Sequence, residues 1–210
     1  MIDMEITKKY ALYFLVLVYV SGSIGFVLKP SFFSLFTPYS LLLTGFVYLI
    51  HQPYKDKRFL FSFFAISVLG FLFEVIGVST GLVFGNYTYG SGLGYCILDV
   101  PLIISLNWAL IISASFSITK KHFDNKYALL FVASLLAVLI DFLIEQVAPK
   151  LDFWRFDSGM PGLHNYIGWF LISYLCGLLF YTPLTKSKFL PSYIILALQI
   201  QFFGIIYLFT

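Results

Sequence analysis

Apolar residues run through this chain in stretches of 15 to 23 positions, separated by short clusters of charge, proline and glycine. The pattern predicts helices over residues 10–28, 37–51, 59–78, 99–119, 126–148, 164–182 and 190–209. Most reach, or nearly reach, the roughly 20 apolar residues that cross the hydrocarbon core of a bilayer. The first run follows Lys8 and Lys9, as a secretory leader would. It is nevertheless about long enough to span, and no small-x-small cleavage site follows it, so it is read as the first helix. The expected fold is an all-α, polytopic membrane bundle of about seven transmembrane helices, forming a single domain over residues 1–210.

Charge supports that count independently. With seven spans, Lys8, Lys9, Lys55, Lys57, Arg58, Lys120, Lys121, Lys126, Lys186 and Lys188 share one side, leaving Lys29, Lys150 and Arg155 on the other. The positive-inside rule then places the N-terminus in the cytoplasm and the C-terminus outside, as expected of a multi-pass protein of a prokaryotic cell membrane. Composition agrees: 60% of the 210 residues are apolar and 11% are charged, far too little polar surface for a water-soluble globule. The net charge of +3 forms no basic stripe, so nucleic acid is not an expected partner. Cys96 and Cys176, one in a loop and one in a helix, imply neither a disulfide framework nor a thiolate metal site.

The two longest loops, 79–98 and 149–163, fall on the outer side. The first is rich in Gly and Tyr and free of charge; the second carries Trp154, Arg155, Phe156, Asp157, Gly159 and Pro161. Such segments can fold back over a cavity instead of projecting into water. Of the ten acids, Asp3, Glu5, Asp56, Asp124, Asp152 and Asp157 fall in predicted tails or loops. Glu74, Asp99, Asp141 and Glu145 lie within or at the end of apolar helices, where an ionisable group is costly unless it pairs, protonates or faces a cavity. All four belong to the outer half, and Asp141 and Glu145, at i and i+4, share one helix face. Two such carboxylates in a low-dielectric site resist joint ionisation, leaving one protonated near neutral pH. Asn165 and Trp169 share a face of the next helix at the same level.

Structural readings compete at several positions. Asp99 before Val100-Pro101 suits a helix N-cap, Glu74 or Asn165 suits an interhelical hydrogen bond, Trp169 suits an interface anchor, and His164 suits a loop. A retinal protein is excluded because the last helix lacks a lysine for the Schiff base. A histidine-based metal enzyme is disfavoured because His51 and His122 lie on the side opposite His164.

The residues resemble a known family. EVIGVSTGLVFGNYTY at 74–89, LGY at 93–95, Val100-Pro101 and Trp108 resemble the E-x-x-G-x-x-T-G-x-x-F-G-x-Y-x-Y, LG, V-P and W series of the membrane carotenoid hydratases of CruF type. Asp141 to Trp169 is similar to that family's D-x-x-x-(D/E) helix, W-x-(W/F), P and N-(Y/F)-x-G-W. Glu145 stands where an Asp-Pro is usual, and Phe156 where a second Trp is usual. The resemblance implies a carotenoid substrate taken from the bilayer and addition of water to the terminal double bond of an acyclic end group, with no cofactor. Protonation of the less substituted alkene carbon leaves a tertiary cation for water to capture, which needs a protonated carboxyl, aromatic faces and a held water. Asp141 is expected as proton donor, with Glu145 or Glu74 tuning it or orienting the water. Asn165 and Asp99 are candidate supporting residues, and Tyr87, Tyr89, Trp108, Trp154 and Trp169 candidate cavity lining. A lycopene-type cyclase, using the same acid, and a proton-coupled carrier remain as alternatives.

Overall fold

A computed structural model describes residues 4–53 and 55–210; Asp3 lies outside the described residues. The helices are α1 (Met4–Leu28), α2 (Pro30–Phe33), α3 (Thr37–His51), α4 (Lys57–Thr80), α5 (Leu102–Lys120), α6 (Lys126–Glu145), α7 (Leu163–Leu179), α8 (Tyr181–Thr185) and α9 (Phe189–Phe209). A 3-10 turn, Ser34–Phe36, joins α2 to α3 so that 30–51 reads as one helical length. Six helical lengths among the described residues are long and apolar enough to cross a membrane; α7, at 17 residues, is apolar but shorter. The predicted 164–182 helix breaks at Phe180 (φ −118°) because Pro183 has no N–H for the Leu179 carbonyl and its ring would strike it.

Polar caps fix two starts, where Asp56 accepts from the Arg58 amide (2.9 Å) and Asn125 from the Ala128 amide (3.0 Å). Helix α1 begins earlier than expected and takes in the backbone of Glu5, which was read as tail. Helix α6 stops at Glu145 instead of 148, and α5 begins at Leu102 instead of 99. The cause of the later α5 start is a short ribbon, β2 (Cys96–Ile97) against β3 (Val100–Pro101), turned by Leu98 and Asp99 at φ 53° and 61°. Two consecutive left-handed residues make the tight turn that joins antiparallel strands. Asp99 is therefore the exposed tip of a hairpin and caps no helix.

Helix α5 is the axis of the bundle, packing against α3, α4, α6 and α9, and 78% of its apolar window is buried. The outer helices expose large apolar side chains instead, Phe61, Phe64, Val68 and Leu72 on α4 and Phe131, Leu135 and Leu139 on α6. Apolar faces of this extent suit contact with lipid tails.

The two long loops do fold back. Strand β1 (Tyr87–Tyr89) pairs antiparallel with β4 (Trp154–Phe156) in the register Tyr87↔Phe156, Thr88↔Arg155 and Tyr89↔Trp154. Gly90 and Gly92 then donate to the carbonyls of Phe153 and Asp152, both at 2.9 Å. A Cβ at either glycine would stand 2.4 Å from a carbonyl oxygen, so only glycine admits this approach. The Asp152 carboxylate completes the clamp, accepting from the Ser91 amide (2.8 Å) and hydroxyl (2.7 Å).

Those two bonds, and then Arg155, hold the Asp152 carboxyl below the usual aspartate range. Because the folded-state value is depressed, the clamp contributes fully above the ordinary value of about 3.9 and is lost as pH falls through the lower, folded one. Asp152→Asn is expected to speed hydrogen exchange at the Ser91 amide several-fold at neutral pH and to abolish the acid dependence that the parent chain shows. Exchange rates corrected for intrinsic chemistry check both.

Candidate active site

Beneath this double-loop cover, α4, α5, α6 and α7 bring their polar side chains together. Glu74, 5% exposed, accepts three hydrogen bonds: from Tyr87 Oη (2.5 Å) and Tyr89 Oη (2.7 Å) on Oε2, and from Trp108 Nε1 (2.8 Å) on Oε1. Two of the donors come from β1 and one from α5, so one carboxylate ties cover to bundle. Burial, then the Glu74 charge, pushes both tyrosine hydroxyls above their ordinary range, which keeps them as donors.

Trp108 is fully buried and lies face to face with Trp169, centroids 3.5 Å apart and planes within 8°. A Cβ at position 70 would stand 2.5 Å from the Trp108 ring, so Gly70 is what lets α4 approach this indole. Phe84 and Tyr87 extend the aromatic wall.

The second carboxyl group is the pair one turn apart on α6. Asn165 Nδ2 bridges them, 3.1 Å from Asp141 Oδ2 and 3.4 Å from Glu145 Oε1, while Trp154 Nε1 donates to Glu145 Oε2 at 2.9 Å. Both oxygens of Glu74 and both of Glu145 are thus engaged. Among the described residues, no hydrogen bond reaches Asp141 Oδ1.

Glu74, Asp141 and Glu145 line one chamber with Tyr87, Tyr89, Trp154, Asn165 and Trp169. It has room for about one water molecule, and among the described residues no Lys, Arg or His lines it. Beside it runs a larger, partly open apolar groove, walled by Tyr19, Phe26, Phe33, Phe36, Phe202 and Phe203 among others. Ile104, Asn107, Ile144 and Trp154 line both spaces and stand where the two meet, here called the neck. The groove also shares Val18, Gly22, Phe33, Phe36 and Ser40 with a shallower cleft on the outside of α1 and α3, where Phe14, Phe32 and Tyr39 are exposed.

Eight of the ten sequence candidates therefore line one chamber, and Trp108, expected to line it too, stands behind it against Glu74 and Trp169. Asp99 does not line it, because the hairpin turn carries it outside, and His164 is likewise exposed. Asn107 and the aromatic groove escaped the sequence reading. Asn107 had a signal, a lone amide in an apolar helix next to Trp108, but the groove is assembled by α1, α3 and α9, which carry no motif. No set of three or more His, Cys, Asp or Glu among the described residues is arranged to hold a metal ion.

Fold and site define a polytopic helical membrane protein with a carboxyl chamber at the end of an apolar groove. The family model described as "Carotenoid biosynthesis protein" matches residues 35–208, and the chain belongs to that family. A relative from Haloarcula japonica, named bisanhydrobacterioruberin hydratase, is 28% identical over 159 residues, covering 69% of this chain and 54% of that protein. The chain thus matches about half the length of that relative. No solved structure matches.

Trp108→Phe keeps an aromatic ring on Trp169 but leaves Glu74 Oε1 without its donor. A buried acceptor left unpaired costs about 1–3 kcal/mol. A lowered thermal unfolding midpoint in detergent, with the helical signal retained at low temperature, is the expected result.

Proposed function

We propose that this chain hydrates the terminal double bond of an acyclic carotenoid end group to a tertiary alcohol. The observation that carries the reading is an apolar groove and a carboxyl chamber that lie side by side and share Ile104, Asn107, Ile144 and Trp154 as lining, in a member of the carotenoid biosynthesis family. A long polyene fits an aromatic-walled groove that reaches the lipid-facing side, and its end group stops at the neck because the chamber beyond holds little more than a water. The hydratase name of the Haloarcula japonica relative supports the same reaction class.

Asp141 is the proton donor. It is 1% exposed, it lines the chamber, and its Oδ1 is the carboxyl oxygen left free to face an alkene. Transfer of its proton to the less substituted carbon uses the alkene π pair to form the C–H bond and leaves a tertiary cation on the other carbon. A water lone pair then forms the C–O bond, and the proton lost from that oxygen returns to the carboxylate. Glu74, held by three donors, fits a carboxylate that keeps its charge and offsets the cation electrostatically. The Trp108–Trp169 stack and the tyrosines surround the chamber with π density. Glu145 and Asn165 hold Asp141 in place.

The chain crosses the membrane seven times in this reading, α7 included, with its N-terminus cytoplasmic and its C-terminus outside a prokaryotic cell membrane. His51 meets the Lys8 carbonyl (3.1 Å), and Gln52 and Ser117 reach the carbonyls of Lys188 and Ser187 (3.4 and 3.0 Å). These contacts gather the lysine-rich ends on one face, opposite the chamber.

Expression in a bacterial host making an acyclic carotene is expected to yield pigment heavier by one or two waters, read by chromatography and mass spectrometry. An isomer of unchanged mass would instead indicate cyclisation, and untouched pigment would count against the reading. Asp141→Asn is expected to lower alcohol formation about a hundredfold or more, the scale of a lost general acid.

Glu74→Gln separates charge from hydrogen bonding. Its amide oxygen can still accept from Trp108 while its NH2 donates to the two tyrosine hydroxyls, which accept as well as donate. The unfolding midpoint should stay close to that of the parent while alcohol formation falls about tenfold or more; a parent-like rate would remove Glu74 from the chemistry.

A further inference from the structure

Resting on the hydratase reading, we infer that Asn107, oriented by Gln199, holds the water that captures the cation. Four residues form the neck where groove meets chamber, and two of them, Ile104 and Ile144, are apolar. A third, Trp154, has its only polar atom committed to Glu145. Asn107 is the fourth, 6% exposed on the central helix α5. Its Oδ1 accepts from Gln199 Nε2 at 3.1 Å, and among the described residues its Nδ2 meets no acceptor. Gln199, on α9, is 2% exposed and lines the groove.

Buried amides are normally satisfied, and Asn107 leaves a donor unpaired at the point where an end group would arrive. That donor suits one water molecule, which accepts from Asn107 Nδ2 and keeps a second lone pair for a carbon electrophile, while Gln199 fixes the Asn107 amide through its Oδ1. Asn107 touches the reacting water and is a catalytic residue in this scheme. Gln199 acts through it and is a positioning residue. Neither is needed to make the cation; together they decide what becomes of it. Without the held water, the same cation loses a proton to a neighbouring carboxylate or is attacked by an internal double bond, giving an isomer with no added oxygen.

The test is the ratio of alcohol to unhydrated isomer made by the full chain in the carotene-producing host. Asn107→Leu keeps the side-chain size and removes both polar atoms; its alcohol-to-isomer ratio is expected to fall at least about tenfold, the effect of losing a positioned polar group on one branch only. Gln199→Leu, on another helix, provides the second variant should the first fail to fold, and is expected to shift the ratio the same way by a smaller factor. A structural role alone would lower both products together, so a parent-like ratio in the folded variants overturns the assignment of Asn107 while leaving the hydratase reading intact. A parent chain that makes no alcohol from any acyclic carotene overturns the hydratase reading, and this inference with it.

Discussion

The interaction on which the rest depends is the buried carboxylate of Glu74 with its three donors. A charge in so dry a place survives only when its lone pairs are occupied. Here the donors come from two separate pieces of chain, β1 and the central helix α5. Satisfying one side chain therefore fixes three relations together: α4 must lie close to α5, which Gly70 permits; the 81–101 segment must turn back into the bundle; and β4 must follow, because its register with β1 sets Trp154 opposite Tyr89. Trp154 in turn donates to Glu145. The two acidic clusters are built through one ribbon, and disturbing either is felt by the other.

The helical framework was legible because lipid imposes a simple rule. Backbone polar groups must be paired within each segment, so apolar runs of sufficient length become helices and charges collect between them. Five of the seven predicted runs meet that rule directly and 37–51 meets it once 30–36 extend it; 164–182 falls short because Pro183 breaks it at Phe180, a local effect that hydropathy averages away. The acids were legible for the same reason, since Glu74, Asp141 and Glu145 stand out against apolar neighbours. Asp99 misled because Asp before Val-Pro suits a helix cap and a hairpin turn equally, and only the pairing of 96–97 with 100–101 decides between them. The groove was illegible because Phe26, Phe33, Phe36 and Phe202 lie on α1 to α3 and α9, far apart in sequence, and a phenylalanine lining a cavity has no local mark that separates it from one facing lipid.

Residue type alone does not sort the three carboxyl groups of the chamber; their hydrogen bonds do. Glu74 receives three donors and Glu145 two, each with both oxygens engaged, whereas Asp141 receives one and keeps an oxygen free. An acceptor saturated with donors is held in one orientation, which suits a fixed partner. An acid that must hand over a proton needs the opposite, an uncommitted oxygen on the side where substrate arrives. In the proposed reaction, the division of labour follows from how many N–H and O–H groups the fold aims at each carboxyl.

The same logic accounts for the chamber's small size. A tertiary cation beside several possible acceptors has more than one fate, and loose water would make capture indiscriminate while loose packing would allow ring closure. Room for about one water, behind a neck with a single uncommitted amide, limits both. Hydration in place of cyclisation then needs no different acid. In the proposed reaction it needs only that an oxygen be held nearer the cationic carbon than any other nucleophile in the groove, which is the part inferred for Asn107.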